Sequence, residues 1–121
     1  MYRKTVGALG FVGGLLAALV VQAPAASAAG TCEFTNTLCA WEQANFGGAR
    51  FTVAPLPPHQ GVCVDLVEHG WGNRIRSTVN TSSKTASLFA SDDCTGRPFP
   101  IEGNSSNPSV TFAANSVFVQ V

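Results

Sequence analysis

Charge is scarce in this chain: Asp, Glu, Lys and Arg together make up 12% of its 121 residues, and the formal net charge is zero. A protein that lives on phosphate contacts carries a basic patch, so this balance excludes a nucleic-acid partner. Histidine is limited to His59 and His69, both in turn-like stretches, where isolated histidines are ordinary surface residues. No serine lies in a nucleophile motif, so no acid, base and nucleophile set can be assembled, and the chain is expected not to be an enzyme. Asp92 and Asp93 look like a carboxylate pair, but adjacent residues on a strand or hairpin point apart, which assigns them to a loop tip. Paired CxxC spacing is missing too, and with it a zinc site.

Only one long apolar run is present. Arg3 and Lys4 precede residues 6–21, and the small residues Ala26, Ser27 and Ala28 follow where a signal peptidase reads. Residues 1–28 are therefore read as a secretory signal peptide cleaved after Ala28, with Ala29 as the alternative. The run contains four glycines and no basic stop signal follows it, which argues against a membrane anchor. The working domain is then 29–121, secreted and extracellular, with no membrane attachment in the mature form. Removal of Arg3 and Lys4 leaves it with a net charge of −2.

Ninety-three residues make one small domain with a limited core, and such domains need covalent staples. Cys32, Cys39, Cys63 and Cys94 in an exported chain imply two disulfides. Of three pairings we favour Cys32 with Cys39, closing a short local loop, and Cys63 with Cys94, tying the two halves of the domain together.

Helical periodicity is absent after the signal peptide, and eight short strand candidates take its place, at 38–42, 49–53, 62–66, 74–79, 85–89, 98–101, 109–112 and 116–120. The first two flank Trp41-Glu42-Gln43-Ala44-Asn45-Phe46-Gly47-Gly48. Trp41 and Phe46 are too close in sequence for two positions on one strand face, so the chain must fold back between them before the glycines. A degraded copy runs from Phe89 to Gly96, with Cys94 in place of the second aromatic and Gly96 lying 48 residues after Gly48. An aromatic, four residues, an aromatic, one residue and Gly resembles the folded hairpin of a βγ-crystallin Greek key. That resemblance implies an all-β, single-domain sandwich of two Greek key motifs.

In such motifs a later serine pins the hairpin, and Ser77 and Ser116 stand at the two matching places. The residues before that serine hold calcium in binding members of the fold. Here Gly72 replaces an acidic or amide ligand, and Arg76 replaces a hydroxyl, which weakens the case for calcium. We expect no metal and no cofactor; a calcium-binding or purely structural secreted module is the alternative reading.

The first repeat is nine residues longer from its glycine to its serine, Gly48 to Ser77 against Gly96 to Ser116. Three prolines in residues 54–61 favour an extended, exposed loop as one home for the excess. Leu56, Val62 and Val64 are apolar side chains such a segment offers around Cys63, although Val62 and Val64 can equally point into the core. The string from Leu38 to Gly48, with secretion and two disulfides, resembles the Streptomyces-type metalloproteinase inhibitor family. Membership implies a secreted thermolysin-like metalloendopeptidase as partner. For such an inhibitor we expect substrate-like occupation of the protease cleft by the segment from Leu56 to Val64, with Leu56, Val62, Cys63 and Val64 as its contact residues, Cys63–Val64 the first candidate bond and Pro55–Leu56 the weaker one. The inhibitor is expected to act as a monomer, with Asp65 and Glu68 as solvated carboxylates.

Overall fold

The computed structural model describes residues 30–121, so the expected signal peptide lies outside the described residues. Eight strands follow in order: β1 (Leu38–Gln43), β2 (Gly47–Val53), β3 (Gly61–Asp65), β4 (Ser77–Asn80), β5 (Ala86–Phe89), β6 (Phe99–Ile101), β7 (Ser105–Asn107) and β8 (Ser116–Gln120). A single 3₁₀ turn, Ala44–Phe46, is the sole helical element among the described residues.

The strands form two antiparallel four-stranded sheets, ordered β2-β1-β4-β7 and β3-β8-β5-β6. Each repeat keeps three strands together and sends its third into the sheet of the other, so β3 pairs with β8 and β7 with β4. Neither half can then bury its apolar face alone, which is why the repeats form one domain.

Alternation decides which side chains go inside. On β1 Leu38 and Ala40 reach the core, opposite Val53 of β2, and on β8 Val117 and Val119 do so while Phe118 faces out. Leu66, Ile75, Leu88, Ile101 and Val110 complete the filling, with Trp71 closing one end. Each such aliphatic side chain contributes about 1.5 to 3 kcal/mol relative to leaving it in water.

Two expected strands are placed differently. The partner of β4 is Ser105–Asn107 and not residues 109–112, because Val110 turns inward after donating its N–H to Arg76 O at 2.7 Å. The fourth strand begins at Ser77: Asn73 has a φ of 58°, and Arg74 N–H bonds back to Trp71 O, so residues 73–76 arrive as a turn. The nine surplus residues of the first repeat are spread over three places. Its second connection has seven residues (54–60) against three (102–104), β3 is two residues longer than β7, and its last connection has eleven (66–76) against eight (108–115).

Candidate functional site

Both folded hairpins are built alike. The Trp41 and Phe46 rings meet edge to face, 5.4 Å apart, and Phe46 takes a φ of 61° so that the chain can reverse between them. Ser77, fully buried, accepts the Phe46 N–H at 2.9 Å and donates to Gln43 O at 2.7 Å. In the second hairpin Ser116 accepts the Cys94 N–H at 2.8 Å and donates to Ser91 O at 2.7 Å, and Cys94 has a φ of 59°. Phe89 lies buried at the position matching Trp41. Gly48 and Gly96 both have positive φ, at 78° and 98°, and a Cβ at Gly48 would meet Glu42 Cγ at 2.6 Å. Asp93, in the second turn, accepts the Thr95 hydroxyl at 2.6 Å. That bond, with help from Ser91, holds its carboxyl below the usual range, the opposite of what a general acid needs.

Cys32 is bonded to Cys39 and Cys63 to Cys94, so the second bridge joins β3 to the second hairpin turn. In this setting both fit an oxidising, extracellular environment. No helix among the described residues is long and apolar enough to cross a membrane.

The structure divides the segment from Leu56 to Val64 into two parts. Residues 54–60 form a loop containing the cis Pro57–Pro58 bond, from which Leu56 projects with 76% of its surface exposed, while Pro55 beside it is buried. Val62, Cys63 and Val64 lie in β3, and the two valines are half-buried against the core, so their side chains are not offered outward. Cys63 faces the other way and is exposed.

What β3 does offer is backbone. It stands at the edge of its sheet, and its register with β8 continues through Val121 N–H to Gln60 O and Leu66 N–H to Asn115 O, both 2.9 Å. In an antiparallel ladder bonded pairs alternate, so Val62 and Val64 spend their amides on β8 while Gly61, Cys63 and Asp65 turn theirs to the open side. The Asp65 carbonyl is capped by His69 Nδ1–H at 2.9 Å, which leaves Gly61 and Cys63 open among the described residues.

The cation position of the first repeat is filled by other groups. Arg74 donates to Glu42 Oε1 at 2.6 Å and to Gly70 O at 2.7 Å, with its guanidinium 4.3 Å over the Trp71 ring. Glu42 also accepts the Ala49 N–H at 3.0 Å; that bond first, and Arg74 second, hold its carboxyl below the usual range. A Cβ at Gly72 would sit 2.9 Å from Asn115 Oδ1, so no ligand-bearing side chain fits there without displacement. With a guanidinium at Arg76 and no room at Gly72, these residues do not fit calcium.

A model of peptidase inhibitor family I36 matches residues 25–100. No curated protein sequence matches the chain. Among solved structures the fold is similar to a βγ-crystallin from Ciona intestinalis, at 19% identity and a TM-score of 0.53, over 70% of this chain and 99% of that one. It is similar as well to a double mutant of a βγ-crystallin domain from Clostridium beijerinckii, at 19% identity and a TM-score of 0.56, over 70% and 98%. At that identity the crystallins speak for architecture alone, in agreement with the interlocked Greek keys. The family model spans the first folded hairpin, both disulfides and β3, and by that match this chain belongs to peptidase inhibitor family I36, carried on a βγ-crystallin fold.

Proposed function

We propose that the protein is a secreted inhibitor of thermolysin-like metalloendopeptidases that occupies the protease cleft in a substrate-like way with residues 56–64, a turn that presents Leu56 followed by the extended edge strand β3. The observation that carries this is the open edge of β3, where Gly61 and Cys63 present, in extended conformation, backbone groups that are unpaired among the described residues. A protease that holds its substrate as an added strand finds this one already in shape. The β8 ladder and the Cys63–Cys94 bond fix it before binding, so little ordering entropy is lost on docking.

Leu56 supplies the apolar side chain that such an enzyme prefers just after the scissile bond. Because Val64 is engaged with the core and Leu56 is free, Pro55–Leu56 takes precedence over Cys63–Val64 as the bond presented. The inhibitor acts as a monomer and brings no metal, cofactor or catalytic group of its own; the zinc belongs to the enzyme.

The test is titration of thermolysin with the purified protein against a chromogenic peptide. Stoichiometric inhibition, lost in Leu56→Asp at unchanged melting temperature, is the expected result. No inhibition by the parent protein sinks the reading, and full inhibition by Leu56→Asp moves the contact away from this loop.

A further inference from the structure

Beside the first folded hairpin lies a cleft of about 370 Å³ lined by Glu42, Gln43, Asn73, Arg74 and Arg76. Two guanidinium groups face one carboxylate there, and that carboxylate is already engaged by the Ala49 amide and by Arg74. Arg74 is spent in turn on Glu42, Gly70 and the Trp71 face. Arg76 is not. It is half-buried, its side chain donates only to Ile75 O at 2.9 Å, and it enters no ion pair among the described residues. A guanidinium carries five N–H donors in a planar fork, so most of the donor capacity of Arg76 is open at the wall of a concave site.

We propose that this cleft binds a carboxylate, with Arg76 as the bidentate anchor and the side-chain amides of Gln43 and Asn73 as further donors. The chemistry favours a small planar monoanion. The fork of Arg76 matches two carboxylate oxygens, whereas the net negative charge of the mature domain repels a polyanion. A cation is excluded by the same two arginines. Glu42 and Gln43 end β1 at the hairpin turn, whereas the loop of residues 54–60 follows the far end of β2, so the cleft is separate from the candidate inhibitory segment. Its occupant is the acidic side chain or the chain terminus of a protein bound alongside. A site of this kind would give the inhibitor a second point of attachment whether or not the β3 reading holds.

Nitrogen-15 NMR of the labelled protein, titrated with sodium acetate at constant ionic strength against sodium chloride, reads this directly. Saturable shifts of the Arg76 side-chain N–H and of the Asn73 and Arg76 amides are expected. Arg50, already paired with Glu33 at 2.9 Å, serves as the unresponsive control. Arg76→Gln removes the shifts and Arg76→Lys weakens binding about five-fold or more, since an ammonium cannot engage both oxygens. Both variants should fold, because Arg76 serves the fold through its backbone, donating to Trp41 O and accepting from Val110. A blocked Gly-Glu-Gly peptide and an acetylated triglycine with a free terminus then separate the two sources of carboxylate. Equal shifts with chloride, an equal response at Arg50, persistence in Arg76→Gln, or binding of neither peptide would each overturn the proposal.

Discussion

The Ser116 hydroxyl accepts the Cys94 amide proton at 2.8 Å, where an aromatic residue in the first repeat, Phe46, gives its amide proton to Ser77 at 2.9 Å. Two hairpins with different side chains at the turn thus share one backbone lock. Each serine is fully buried and satisfies a donor and an acceptor at once. Truncation removes both hydrogen bonds from partly buried partners, at about 0.5 to 1.5 kcal/mol for each bond. Ser77→Ala and Ser116→Ala should therefore lower stability by similar amounts, and chemical denaturation of the two variants checks it. A loss at Ser77 alone would show that only the aromatic hairpin depends on its serine.

The two disulfides differ in what they enclose. Cys63 and Cys94 are 31 residues apart and Cys32 and Cys39 only seven, so the loop-entropy model assigns roughly 3 to 4 kcal/mol to the first and roughly 2 to the second. Paired alanine substitutions, compared by denaturant midpoint, should reproduce that order. If inhibition depends on a preset β3, loss of the Cys63–Cys94 bond should also weaken it, while loss of Cys32–Cys39 should not.

Much of this architecture was legible because it rests on local steric rules repeated once. Trp41, Phe46 and Gly48, with Phe89, Cys94 and Gly96 at a constant offset, announce two folded hairpins, and the serines follow from the motif. Strand β7 was not legible from periodicity. Ser105, Ser106 and Asn107 form a half-solvated edge with no apolar alternation, and only β4 makes them a strand; the Gly103-Asn104 turn signal ahead of them was the available clue. At the candidate site the prolines marked the loop correctly, but whether Val62 and Val64 face in or out depends on the register with β8, a pairing across more than fifty residues. The Arg74–Glu42 contact is equally non-local, at 32 residues.

That contact carries a pH dependence. Because the folded pKa of Glu42 is depressed, by the Ala49 amide first and Arg74 second, the unfolded chain binds the proton more readily. The contribution is fully present above the ordinary carboxylate range and is lost as pH falls through the depressed folded value. Glu42→Gln should accordingly melt below the parent at neutral pH, with the gap closing as the solution is acidified. Thermal melts of both proteins across that range check the sign; a gap that widens in acid would contradict it.

The chain carries two Asn-x-Ser glycosylation sequons, Asn80-Thr81-Ser82 and Asn104-Ser105-Ser106, and burial separates them. Asn80 is 1% exposed, and its side-chain amide donates to Lys84 O, Ile101 O and Glu102 O at 3.0 to 3.2 Å, an arrangement that a glycan on that nitrogen would abolish. Three carbonyls, one of them on the buried Ile101, would lose their donor, and the sugar would have to stand where the two sheets meet. Asn104 lies exposed in the connection before β7, with a φ of 51° and room for a glycan in solvent. Expressed through a glycosylating secretory pathway, the folded product should carry sugar at Asn104 and none at Asn80. Glycopeptide mass spectrometry of the secreted fraction decides this: occupancy of Asn80 in protein that still shows a cooperative unfolding transition would mean that its three hydrogen bonds are dispensable.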